Sequence, residues 1–237
     1  MNEFTGKATV YDKARPGYAP AALDYIMGLV GENAIIADIG AGTGKFTSAL
    51  AARGCEVIAV EPDADMRSKL PALPNLRVVD GTAEATGLPD ASVDAVTCAQ
   101  AFHWFDGEKF KAECLRILKP GGRIFVVYNI PREGHAENRP NPELDWHPHK
   151  YDPDRWKRND AAMLAFFDGQ IRREAFDNPV VFDREHHEAY SLSHSDSPRP
   201  GDEAYDRFLE SIAAIFERRS VDGKVLLPTE TIVYTRL

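Results

Sequence analysis

Apolar positions recur three and four residues apart at Ala22, Leu23, Ile26, Met27 and Val30, so residues 21–30 are predicted as a helix stopped by Gly31. Residues 34–39 then run almost unbroken in apolar side chains, the pattern of a short strand buried on both faces. A second helix is expected over 45–53, with Phe46, Leu50 and Ala51 inward and Gly54 as its stop. Strands follow at 56–60, 76–79 and 95–99, and Pro62 opens a helix at a position where its missing N–H costs little. Phe110, Cys114, Leu115 and Leu118 stripe a helix over 108–118; Lys119-Pro-Gly-Gly122 breaks it, and 123–128 is a fifth strand. Strands alternating with helices over short loops specify an α/β fold, a parallel sheet with helices on both faces.

Beyond residue 130 the period weakens. Residues 159–168 read as a helix ending at Gly169, 171–176 as a strand, and 231–237 as a final strand. Tyr205, Phe208, Leu209, Ile212, Ile215 and Phe216 mark a long amphipathic helix, with Asp202 as its expected cap. The stretch 128–160 is polar and carries five prolines, which reads as an inserted segment. All 237 residues are taken as one domain: a core over 19–128, a cap at about 129–160, and a completion over 161–237.

Composition narrows the class. The chain is 43% apolar, too much for a disordered protein, and its net charge of −9 argues against a binder of the nucleic-acid backbone. No apolar run reaches the length of about 18 residues that spans a membrane, and residues 1–11 lack the pattern of a signal peptide. Cys55, Cys98 and Cys114 are an odd count without a CxxC pair, so buried free thiols and a cytoplasmic location are expected.

The candidate chemistry begins at Asp38-Ile-Gly40-Ala41-Gly42-Thr-Gly44, between the first strand and its helix. Glycines at alternate positions let the backbone pass close to a ligand, where open α/β sheets bind them. The dinucleotide fingerprint fails, because Lys45 stands where its third glycine belongs. A P-loop fails too, since Ile39 and Phe46 occupy its first glycine and its hydroxyl position. What remains is an acidic strand end followed by GxGxG, with a purely structural strand–helix turn as the alternative. Glu61 ends the second strand, where a carboxylate can accept both hydroxyls of a ribose.

Further segments follow in order: Asp80-Gly-Thr-Ala-Glu84, Ala99-Gln-Ala-Phe-His-Trp-Phe-Asp106, Leu118-Lys-Pro-Gly-Gly122 and, upstream, Tyr11-Asp-Lys-Ala-Arg-Pro-Gly-Tyr18. Together they resemble the type 11 family of class I S-adenosylmethionine-dependent methyltransferases, specifically its trans-aconitate methyltransferase-like branch of small-molecule enzymes. The resemblance covers roughly residues 11–128 well and the end of the chain loosely. It implies a Rossmann-like, doubly wound, mostly parallel sheet, an antiparallel C-terminal strand and a polar cap after the fifth strand. It also implies S-adenosylmethionine as cofactor and S-adenosylhomocysteine as product. By the same resemblance Asp38 and Gly40 neighbour the methionine part of the cofactor, Gly42 lets the loop approach it, and Glu61 binds the ribose. Met66 packs on the adenine, Thr82 and Ala83 bracket its edge, and Gln100 contacts the methionine part through its backbone. Ala41, Gly44 and Pro62 complete the cofactor set. Many relatives carry Asp where Thr82 stands, which hands the adenine amino contact to main-chain oxygens.

Methyl transfer from a sulfonium is an in-line displacement, so positioning matters most, and a carboxylate acceptor needs no strong base. Tyr11, Arg15 and His103 are the catalytic candidates, and Tyr18, His103 and Trp104 are expected to line the acceptor pocket. His103 either accepts a proton or simply packs against the loop; Arg15 either pairs an anionic carboxylate or leads into the first helix. His147-Pro-His149 and His186-His187 match no common zinc spacing, so no metal is expected. Trp146, Trp156 and Phe167 either line the acceptor pocket or belong to the core. The expected partner is a small-molecule acceptor, without nucleic acid or membrane. O-methylation of an anionic small molecule leads the functional readings, and a catalytically silent cofactor- or partner-binding member of the fold is the alternative.

Overall fold

The computed structural model describes residues 15–132, 155–193 and 197–236. The chain divides into two compact units, taken here one at a time. The larger comprises Gly17–Asn129, Lys157–Phe176 and Thr231–Leu237. In chain order it holds α1 (Pro20–Val30), β1 (Ile35–Ile39), α2 (Lys45–Ala51), β2 (Glu56–Val60), the single turn α3 (Ala64–Arg67), β3 (Leu76–Val79), β4 (Val93–Ala99), α4 (Gly107–Ile117) and β5 (Leu118–Pro131). Most of α5 (Arg155–Phe166), β6 (Ile171–Asp177) and β9 (Thr229–Arg236) completes it.

These strands form a seven-stranded sheet in the order β3-β2-β1-β4-β5-β9-β6. β1 pairs in parallel with β2 and β4, β2 with β3, and β4 with β5. Order reverses at β1, which leaves a crevice at the carboxyl ends of β1 and β4. β9 runs the other way, because rising numbers on it meet falling numbers on its neighbours. Arg132 N–H donates to the Pro228 carbonyl while Thr231 donates to Asn129, and Tyr234 meets Arg173 while Arg236 meets Gln170.

Alternation across the strands explains the near-continuous apolar runs. Ile36, Val57, Ala95, Phe125, Val127 and Val233 pack with Leu23 and Ile26 of α1 and Phe46 and Leu50 of α2. The intervening Ala37, Ile39, Ile58, Val60, Val96, Cys98 and Val126 are equally buried, so both faces are covered. Each fully buried Leu or Ile contributes about 1.5–3 kcal/mol of transfer free energy. Phe102, Phe110 and Phe166 meet edge-on or stacked at 5.0–6.1 Å beside α4. Cys55, Cys98 and Cys114 are free and buried, and burial raises the pKa of each thiol.

Three expectations need correction. Lys119–Gly122 does not separate helix from strand: β5 already begins at Leu118, which pairs with Val93, and Arg123 next pairs with Ala95. Five residues therefore step against two, a bulge in which a Cβ on Gly122 would sit 2.8 Å from Leu118. Pro62 lies before the helix it was expected to open, because Asp63 caps α3 by accepting from the Met66 amide at 2.9 Å. Asp202 is not the cap of the long helix; its carboxylate accepts from the Arg199 amide two residues before that helix's own Ala204 cap.

The smaller unit comprises Met1–Pro16, Ile130–Trp156 and Asp177–Glu230. It contains three elements that the periodicity did not reveal: β7 (Val180–Phe182), α6 (Arg184–Leu192) and β8 (Val225–Leu227). With α7 (Tyr205–Arg219) they enclose Phe182, Phe216, Val225 and Leu227, and β7 pairs antiparallel with β8.

Candidate functional site

Asp38 closes β1 and is buried, with Thr47 of α2 donating at 2.6 Å and Thr97 of β4 at 2.9 Å. Burial outweighs those two hydroxyls and, with nearby Glu61, raises its pKa to about 6. Asp38 thus ties the strand end to its two neighbours underneath the loop.

The loop itself is fastened to β2. Gly40 and Ala41 both donate to the Val60 carbonyl, and the Gly42 amide donates to a Glu61 carboxylate oxygen at 2.8 Å. Gly40, Gly42 and Gly44 all hold positive φ, yet they differ in what surrounds them. A Cβ on Gly40 would lie 2.7 Å from Ala101, and one on Gly44 2.6 Å from Leu70; on Gly42 it would meet nothing within 4 Å. Gly42 is the glycine whose Cα faces open space.

Glu61 accepts from two backbone amides, Gly42 and, at 2.9 Å, Asp63. It is 7% exposed, and desolvation raises its pKa despite those bonds. A carboxylate offers about four lone-pair directions, so acceptor capacity remains for two hydroxyls. Arg67 braces the turn from outside, donating to the carbonyls of Glu61 and Pro62 and pairing Asp80 at 3.0 Å. Met66 is buried here while Pro62 is exposed.

After β3, Thr82 and Ala85 exchange backbone hydrogen bonds at 3.1 and 3.3 Å, leaving Thr82 exposed and Ala83 buried. Thr86 anchors the end of this turn, its amide and hydroxyl both donating to Glu113 of α4. At the end of β4, Gln100 holds φ +60, a conformation that strains a non-glycine residue. Its amide donates to the Val127 carbonyl at 2.9 Å. A short 3-10 turn, Phe102–Trp104, follows: Phe102 packs inward, while His103 and Trp104 remain exposed. The His103 ring lies 4.9 Å from Trp104 and is stacked 6.2 Å from Tyr128.

A family model described as "Methyltransferase domain" matches residues 37–126, the span that contains all of these strand ends. An uncharacterized methyltransferase of Geobacillus kaustophilus is 33% identical over 149 residues, covering 57% of this chain and 69% of that protein. The chain belongs to the methyltransferase family. A Mycobacterium tuberculosis relative, also an uncharacterized methyltransferase, is 42% identical over 131 residues, 55% of this chain. The match spans only 53% of that relative, about half its length. Malonyl-[acyl-carrier protein] O-methyltransferase of Methylococcus capsulatus is 38% identical over 94 residues, 37% of this chain and 34% of that one. Among solved structures, an Anabaena variabilis protein provisionally described as a methyltransferase from an antibiotic biosynthesis pathway superposes with TM-score 0.67 at 24% identity, covering 95% and 99% of the two chains. That likeness speaks for the fold.

The chain holds Asp38 near the end of β1, Met66 in α3, and Gly40, Ala41, Gly42, Gly44, Glu61, Pro62, Thr82, Ala83, Gln100, His103 and Trp104 on the loops and turns that follow β1 to β4, all within its larger unit. Tyr18 is in that unit too, but its ring packs edge-on against Phe46 at 4.7 Å. Arg15 belongs to the smaller unit, where its guanidinium lies 5.5 Å over the Tyr190 ring and donates to the Ser193 carbonyl at the end of α6. Tyr11, Trp146, His147 and His149 lie outside the described residues. Phe167 is core, packed on Phe166. His186 bonds Asp183, whereas His187 is buried against Phe216, and among the described residues no three potential metal ligands converge. Among the described residues, no helix is long and apolar enough to cross a membrane.

Sequence reasoning missed Thr47 and Thr97, the two hydroxyls on Asp38. Only the register that sets Asp38 opposite Thr97 reveals the second of them. It also missed Tyr128, which stacks on His103 from β5, and the strained backbone at Gln100.

Proposed function

We propose that this chain transfers a methyl group from S-adenosylmethionine to an oxygen of a small anionic acceptor. The observation that carries the reading is the corner where Glu61, paired only with amides, adjoins the open face of Gly42. S-adenosylmethionine supplies a methyl group on a sulfonium, already activated for in-line displacement. Glu61 accepts the two ribose hydroxyls with its remaining lone pairs, and the bare Gly42 lets the loop backbone approach. Asp38, Gly40, Ala41 and Gly44 shape the loop beside the methionine part, and Gln100 meets it through the main chain. Met66, which is buried, packs on the adenine, and Thr82 with the buried Ala83 brackets its edge, with Pro62 completing the set.

His103, Trp104 and Tyr128 form an aromatic corner at the ends of β4 and β5 that orients the acceptor. A carboxylate acceptor needs that orientation more than it needs a base, and the name of the Methylococcus relative supports O-methylation of this kind. Tyr18 is assigned to the acceptor side within the larger unit, while Arg15 holds the end of α6 in the smaller one.

Calorimetry with S-adenosylhomocysteine tests the cofactor site, and its release from S-adenosylmethionine in the presence of a panel of small carboxylates tests the reaction. Binding without release across carboxylates, alcohols and amines would sink the enzymatic reading. With an acceptor found, His103→Ala should slow a carboxylate only a few-fold but a neutral hydroxyl roughly a hundredfold or more. Arg15→Ala should lower Tm by loosening the end of α6, which thermal melts read.

A further inference from the structure

Three hydrogen bonds converge on Asn129, in β5, within the larger unit. Its backbone carbonyl accepts from Gln100 Nε2 at 3.1 Å, its Nδ2 donates to the Gly17 carbonyl at 2.9 Å, and its Oδ1 accepts from Thr231 Oγ1 at 2.6 Å. Thr231 of β9 is fully buried, and its hydroxyl also accepts from the Ala19 amide at 2.9 Å. One relay therefore joins the residues leading into α1, the end of β5, an internal strand of the sheet and the turn after β4.

We propose that Asn129 and Thr231 are positioning residues of the methyltransferase, a clasp that holds the Gln100 turn and the Gly17–Ala19 lead-in at the cofactor edge of the sheet. The proposal rests on the cofactor reading above. A left-handed backbone at a non-glycine residue persists only where its surroundings over-determine it. At Gln100 they do so twice, through its amide on Val127 and its side chain on Asn129. Only a carboxamide satisfies position 129, since it must donate to Gly17 and accept from Thr231 at once. Only a hydroxyl satisfies position 231, where one group both accepts and donates; valine there has the same shape but takes that hydroxyl away from both the Ala19 amide and Asn129 Oδ1. The lead-in is further fixed by Tyr18 against Phe46, so loosening either end of the relay acts on the turn from a distance.

The test uses the full chain, S-adenosylhomocysteine as probe, and hydrogen exchange at the Ala19 amide. Thr231→Val should weaken binding by about tenfold and speed exchange at Ala19, as expected when one network loses a shared partner. Thr231→Ser keeps the hydroxyl and should restore both measurements to within about twofold of the parent. Asn129→Asp keeps the acceptor, loses the donor to Gly17, and should fall between them. If Thr231→Val does not fold, Asn129→Leu carries the same test from the more exposed end of the relay. Faster exchange at Ala19 with parental affinity would reduce the network to a brace and overturn the proposal, as would a parental exchange rate in every variant. A parent that fails to bind S-adenosylhomocysteine refutes the cofactor reading itself, and this one with it.

Discussion

Two glutamates of the larger unit are buried alike, 7% exposed at Glu61 and 8% at Glu113, and are held in opposite ways. Arg116 grips Glu113 with Nε and Nη2, both at 2.8 Å, while Thr86 donates to it twice. Those bonds outweigh desolvation and hold its pKa at about 2. Among the described residues Glu61 receives two amides and no guanidinium on its carboxylate, so desolvation raises its pKa instead. A carboxylate with a cation and four bonds is finished as a structural joint. One with two amides still has lone pairs to offer, and that difference separates a candidate ligand from a brace more sharply than burial does.

The strongest way to break this contrast is Gly42→Val. Valine at φ +58 strains the backbone by roughly 1–2 kcal/mol without a clash, so the protein should fold yet show no measurable S-adenosylhomocysteine binding. Gly40→Val, whose Cβ meets Ala101 at 2.7 Å, should instead cost more stability than Gly42→Val. Calorimetry and thermal melts read the two; parental affinity in Gly42→Val would remove the loop from the site.

The glutamates themselves should then diverge. Glu61→Ala loses hydrogen bonds to a charged acceptor, worth about 1.5–3 kcal/mol, and should weaken binding roughly ten- to a hundredfold. Glu113→Ala should leave affinity within about twofold and lower stability by about 1–3 kcal/mol, because the Thr86 amide is left buried and unpaired. Urea melts and calorimetry on both variants check the crossing; the same pattern in each would dissolve the comparison.

Acid sharpens it further. The folded pKa of Glu113 is depressed, so its stabilisation is present above the ordinary carboxylate value and is lost as pH falls toward about 2. The parent should lose stability across that window more steeply than Glu113→Gln, by urea midpoints. The smallest effect is expected at Asp38, whose raised pKa has the opposite sign. Its contribution is present below the ordinary carboxylate value and is lost as pH rises through about 6. Asp38→Asn should flatten that slope, so that its urea midpoint changes less than the parent's between about pH 4 and about pH 7.

Legibility followed the same division. Glu56–Val60 was legible to the residue, because a strand buried on both faces needs apolar side chains at nearly every position; Leu76–Val79, the half-exposed edge strand, was legible from its short apolar run. The acidic strand end at Glu61 and the three glycines were legible for a local reason, since each serves its own turn. Thr97, Tyr128 and Asn129 were not, because each acts across strands through a register that no local pattern encodes, and Thr47 was not because it reaches Asp38 from a helix face. Val180–Phe182 and Val225–Leu227 escaped for want of length: three residues are too few to display a period of two.

The place of β9 has a consequence for biosynthesis. Residues 229–236 form not an edge but an internal strand between β5 and β6, although they are made after more than 220 others. The parallel block from β1 to β5 is complete on the ribosome far earlier, with one flank of β5 unpaired and its neighbouring Phe125 and Val127 uncovered by Val233. Until the late strand emerges from the exit tunnel, that flank is a sticky template for other nascent chains. Slow translation of the stretch between β5 and β9 would lengthen the exposure, and a holdase chaperone would shorten its cost.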